Sequence, residues 1–148
     1  MENQDDLKRA YRISLVVGIA ILASLFIYAI VVFWFKSWFT PASGSTSIQN
    51  IGWLRYIFYA LSVGMIILLR VLRGLLFRRS SSDSRQVLIG RLQRTSIISM
   101  ALSEGPAIFG LVLVFLGGRE KDFYILLFVS LVLVFIYFPR LKNWEDWL

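Results

Sequence analysis

One residue in this chain invites chemistry. Glu104 interrupts the uncharged apolar run 95–116, about 14 Å along a helix from Thr95 and so near a bilayer midplane. An ionised carboxylate at that depth costs at least about 2.5–3.5 kcal/mol, so it has to be protonated, paired or turned to a cavity. All three place it against protein rather than lipid. Pro106 lacks an N–H and leaves the Leu102 carbonyl without its usual helical partner, Gly105 leaves room, and Ser103 adds a hydroxyl. A carbonyl, a hydroxyl and a carboxylate within one turn are oxygen ligands for a proton, hydronium or Na⁺. Ser24, Ser62 and Ser130 fall near the middles of the other three apolar runs. With Glu104 they form a candidate hydrogen-bonded cluster at one depth. The competing role for Glu104 is structural: a neutral acid locking two helices together, with the serines as interhelical glue.

Other chemistry is excluded by composition. With Cys 0 and His 0 there is no disulfide, iron–sulfur cluster, thiolate or His-ligated zinc, haem ligation through histidine, or Ser–His or Cys–His nucleophile. Beyond Glu104 no acid, base or nucleophile is set for a reaction, so the expectation is a non-enzyme with no cofactor and no metal centre.

The segment Ala101-Leu102-Ser103-Glu104-Gly105-Pro106 and its continuation Ala107-Ile108-Phe109-Gly110-Leu111-Val112 resembles the carboxylate helix of rotary ATPase proteolipids, the c subunits. Those helices commonly read A-L-x-E, then small residues, then I-Y/F-G-L-V. In that family the glutamate binds the transported H⁺ or Na⁺, and the resemblance implies that role for Glu104 alone. It covers residues 101–112 only. The run 56–69 has a single glycine, Gly64, where the family's partner helix is glycine-rich.

The elements that must hold Glu104 follow from hydropathy. The chain has 148 residues, 57% hydrophobic and only 17% charged, with a mean hydropathy of +0.69. A soluble domain carries about a quarter charged residues, so this composition points to an integral membrane protein. Four uncharged apolar stretches, 13–35, 56–69, 95–116 and 123–138, predict an all-α bundle of four transmembrane helices in one domain. With flanking residues they give spans near 13–35, 52–70, 95–117 and 123–139, the second with Arg55 snorkelling outward and the fourth short. The first run is longer than a signal-peptide apolar region and reads as an uncleaved span. Ser96, Ser99, Ser103, Ala107 and Gly110 form a small-residue stripe on the third helix, with Glu104 on its flank. Pro106, Gly105 and Gly110 are its kink and packing positions.

Charge sets the orientation. Of 16 basic residues, 12 (Lys8, Arg9, Arg12, the seven arginines from Arg70 to Arg94, Arg140 and Lys142) flank the termini and the middle loop 70–94. Lys36, Arg55, Arg119 and Lys121 lie on the other side. Positive-inside places both termini and the 70–94 loop in the cytoplasm, in a plasma (inner) membrane. Trp34, Trp38, Trp53 and Tyr56 then mark the outer interface, and Tyr137, Trp144 and Trp147 the inner one. The net charge of +7 is accounted for by topology and anionic headgroups, not by a nucleic-acid partner. Asp83 or Ser84 is a candidate N-cap for a helix whose 86–89 segment rests at the interface. The expected partners are the lipid bilayer and other membrane subunits or further copies of this chain. The function read from this is an accessory or structural subunit, with H⁺ or Na⁺ handling through Glu104 as the alternative.

Overall fold

The computed structural model describes residues 2–38, 51–76, 85–117 and 119–139. They form α1 (Glu2–Trp38), α2 (Ile51–Leu76), α3 (Arg85–Phe115) and α4 (Glu120–Tyr137). The Asp83 or Ser84 cap, the serine-rich middle loop, residues 40–50 and the tail 140–148 lie outside the described residues. Three helices are long and apolar enough to cross a membrane, over Leu7–Phe35, Gly52–Leu75 and Gln86–Phe115. Helix is the conformation such runs require, because it satisfies every backbone N–H and C=O within the segment. α4 is shorter, 18 residues, and opens with Glu120, Lys121 and Asp122.

α3 is the central helix and packs on α4, α1 and α2. It ends at Phe115, where Leu116 N–H donates to the Val112 carbonyl and Gly117 N–H to that of Val114, both at 3.0 Å. Gly117 has φ 86°, a left-handed value that favours glycine at a helix end. The chain then reverses into α4 within a few residues. α1 and α3 run in the same direction and stay in register: Ser24 meets Glu104 and the Phe35 ring meets Phe115 edge-on at 5.0 Å, each pair 80 residues apart.

The main core joins three helices. Ile21, Leu25 and Val32 of α1 meet Met100, Ala107 and Val114 of α3 and Phe123, Leu127 and Val134 of α4. α2 contributes little to it. Of its described side chains only Ser62 and Leu69 are buried, while Trp53, Tyr56, Leu61, Ile67 and Leu75 are exposed.

The glycines show how closely the helices approach. A Cβ on Gly110 would sit 3.1 Å from the Phe123 Cα, a backbone atom of α4. A Cβ on Gly105 would collide instead with the flexible end of Met65 on α2. The small-residue stripe does face neighbours, with Ser99, Ser103, Ala107 and Gly110 all buried. Pro106 is buried too, and α3 continues as a helix through it.

Two features differ from the sequence expectation. α1 extends well beyond its apolar run, back to Glu2, while α3 begins at Arg85 and runs through 86–89 into the third apolar run as expected; there Leu7 and Ala10 pack with Ile89 and Leu92 into a second small core. The 86–89 segment is therefore not simply laid along an interface, since Ile89 is covered by α1. Arg55 does not simply snorkel away from the helices either; it turns toward α4.

Candidate functional site

Among the described residues, Glu104 and Asp122 are carboxylates hydrogen-bonded by side chains of a neighbouring helix. Glu104 lies on α3, facing α1, partly buried. Its Oε1 accepts from the Ser24 hydroxyl and from the Tyr28 hydroxyl, each at 2.6 Å. Ser24 and Tyr28 stand four residues apart and so share one face of α1. Ser24 Oγ also lies 2.7 Å from the carbonyl of Ile21. A serine has one proton, so it serves either the carboxylate or its own helix at a given moment.

The other sequence-derived site residues are not gathered around Glu104. Ser62 donates to the Phe58 carbonyl of its own helix at 2.8 Å. Ser103, fully buried, donates to the Ser99 carbonyl at 2.7 Å. Ser130 sits on α4 and accepts from the backbone N–H of Ala107 at 2.8 Å, just past Pro106. The single cluster expected from four mid-span polar groups is thus corrected. Ser24 alone among the serines reaches Glu104, and Ser62 and Ser130 each fasten something else. Leu102 is partly buried one turn before Pro106. Among the described residues no group of three or more acidic side chains could hold a metal ion.

No family model, curated protein or solved structure matches this chain. Its site is therefore read from geometry alone.

The second carboxylate escaped the sequence reading. Asp122, 4% exposed, occupies the first turn of α4, with its Oδ1 3.2 Å from Arg55 Nε. The Tyr59 hydroxyl donates to the same oxygen at 2.9 Å. The Arg55 Nε–H is not aligned with Oδ1, so this contact is an ion pair rather than a hydrogen bond. The guanidinium also lies over the Tyr56 and Tyr59 rings, 5.9 and 5.7 Å from their centroids. Asp122 sits where the N-terminal end of the helix dipole favours an anion. The available signal was an arginine inside the second span and an acidic first turn just before the fourth. Drawing the spans from the first apolar residue hid it.

Proposed function

We propose that the chain is a four-span integral membrane protein, non-enzymatic, acting as a small accessory or structural subunit of a larger membrane assembly. Both termini and the 70–94 loop face the cytoplasm from a plasma (inner) membrane, as the distribution of basic residues favours. α4 serves as the fourth span: its apolar part, 123–137, is about 22 Å long, and local thinning with cover from α3 accommodates the shortfall. The observation that carries the structural role is the pair of α1 hydroxyls on one oxygen of Glu104. That arrangement ties α1 to α3 at mid-depth, and it supplies neutral donors rather than the ring of oxygens a cation needs.

The test is a pair of substitutions. Glu104→Gln keeps an acceptor oxygen and should leave assembly intact, whereas Glu104→Leu should weaken it. Gentle purification in nanodiscs, with mass measurement and identification of co-purifying subunits, should return a heteromeric assembly. A homomeric ring of this chain alone would overturn the accessory reading.

One observation favours H⁺ or Na⁺ handling as a second reading. Glu104 is only partly buried, and Ser24 chooses between two acceptors. A protonated Glu104 would donate to Ser24 Oγ while Ser24 turns its own proton to the Ile21 carbonyl, so both protonation states of the carboxyl find a hydrogen-bond partner. The likeness of residues 101–112 to proteolipids agrees with it. Dicyclohexylcarbodiimide labelling of Glu104 that slows when Na⁺ is added, together with lost activity in a well-assembled Glu104→Gln variant, would favour this reading.

A further inference from the structure

α2 and α4 meet near Asp122 but do not pack closely along their length. At the opposite end a cleft of about 590 Å³ opens between them, within the usual 300–1,000 Å³ of a ligand site. Ile66, Arg70, Arg73 and Gly74 line it from α2, and Leu133, Ile136 and Tyr137 from α4. The α2 residues recur at helical spacing, so they present one face. Arg70 is exposed, and the Arg73 guanidinium is stacked 5.1 Å from the centroid of the Tyr137 ring. The cleft is polar at one end, with two guanidinium groups, and apolar toward the middle of the helices.

That polarity matches one kind of molecule. A guanidinium pair holds a phosphate by charge and by its fork of donors. Alkyl chains fit along Ile66, Leu133 and Ile136, which a soluble anion would leave uncovered. Gly74 lines the cleft and is exposed, and a Cβ there would meet nothing within 4 Å among the described residues.

We propose that the cleft between the Arg70 end of α2 and the Tyr137 end of α4 is a binding site for one anionic diacyl phospholipid. Its phosphate rests on Arg70 and Arg73, and its chains lie along the apolar wall. The proposal rests on the membrane-spanning reading of α2 and α4. That reading is checked separately: a chain released from membranes by alkaline carbonate would contradict the spans, whatever its lipid behaviour.

The experiment is native mass spectrometry of detergent-purified protein given equal amounts of phosphatidylglycerol and phosphatidylcholine. The wild type should retain one phosphatidylglycerol in preference to phosphatidylcholine, and excess inorganic phosphate should not displace it. Arg70→Gln/Arg73→Gln should lower that retention about thirtyfold. Gly74→Leu, which keeps both charges and fills the mouth, should lower it comparably. Arg94→Gln/Arg119→Gln removes equal charge elsewhere and should leave retention unchanged. Retention by Gly74→Leu equal to wild type would mean basic residues attract lipid without a built cleft, and the proposal fails. Equal retention of both lipids, or full displacement by inorganic phosphate, would overturn it as well.

Discussion

Glu104 and Asp122 are two carboxylates on adjoining helices, and they are accommodated by opposite means. Asp122 stands at the start of α4 and faces a cation, Arg55, whose side chain keeps 38% of its exposure. That arginine loses only part of its hydration when it pairs, so the desolvation cost of a buried ion pair is moderated. Glu104 stands about 17 Å of helix back from the end of α3 at Phe115, and its partners are the neutral hydroxyls of Ser24 and Tyr28. Neutral donors suit a carboxylate in the middle of an apolar run, where a second charge would itself need compensation. The two sites also fasten different pairs: Asp122 joins α4 to α2, and Glu104 joins α3 to α1.

The largest effect is expected at the charged joint. Asp122→Ala leaves Arg55 without its anion and Tyr59 without its acceptor. It should destabilise the protein by about 2–3 kcal/mol, below the 3–5 of a fully buried pair because Arg55 stays partly solvated. Unfolding in mixed dodecyl maltoside and SDS micelles, followed by circular dichroism, reads this directly. Arg55→Met with Asp122→Leu should recover most of the loss. If Asp122→Ala were no worse than that double variant, the ion pair would contribute nothing to the joint.

At the neutral joint the effect should be smaller. Glu104→Leu removes two hydrogen bonds, but Ser24 retains the Ile21 carbonyl, so the loss should be about 1–2 kcal/mol, mostly from Tyr28. Glu104→Gln keeps an acceptor and should lie within about 0.5 kcal/mol of wild type. The same micelle unfolding measures both. A Gln variant as damaged as the Leu variant would show that the carboxyl group itself, not merely an acceptor oxygen, is required.

The same pair shows what a sequence discloses here. Apolar runs located the helices, and a lone glutamate inside one marked the α1–α3 contact. Position along a helix was legible because it is counted along the chain; azimuth was not. Ser24, Ser62 and Ser130 all fall near the middles of their apolar runs, yet Ser62 bonds its own helix and Ser130 the N–H of Ala107, so position along the run did not give their hydrogen-bond partners. Tyr28 went unnoticed because a tyrosine one turn from Ser24 looks like ordinary apolar filling. The α1 extension was hidden for another reason. Leu7 and Ala10 keep helical spacing, but Lys8 and Arg9 between them mask it. Asp122 was lost at a boundary, since a span drawn from Phe123 excludes the residue just before it.

Gly110 separates the joints further. Its Cα lies close under the first turn of α4, where a methyl group would press on the Phe123 backbone, next to Asp122. Gly110→Ala should cost about 1 kcal/mol, since a backbone must shift by a few tenths of an ångström while alanine gains helix propensity. It should couple with Asp122→Ala by at least about 0.5 kcal/mol in a double-mutant cycle and add independently to Glu104→Leu. Equal coupling to both would mean that α3 transmits strain along its length and that the joints are not separate.

The smallest effect is expected where a polar group has no joint at all. Ser14 of α1 is fully buried, and its hydroxyl has no hydrogen-bond partner among the described residues. Unlike the two carboxylates, it carries the desolvation cost of a polar group without a compensating bond. Ser14→Ala removes the hydroxyl with almost no change in volume and improves helix propensity slightly. Stability should therefore stay level or rise by up to about 1 kcal/mol, opposite in sign to every carboxylate substitution above. Micelle unfolding of the single variant and of Ser14→Ala/Glu104→Leu measures it, and the two changes should add. A loss of more than about 1 kcal/mol on Ser14→Ala would mean that this hydroxyl has found a partner in the membrane. The pattern drawn from Glu104 and Asp122, a polar group answered by a neighbouring helix, would then extend to Ser14 as a third joint.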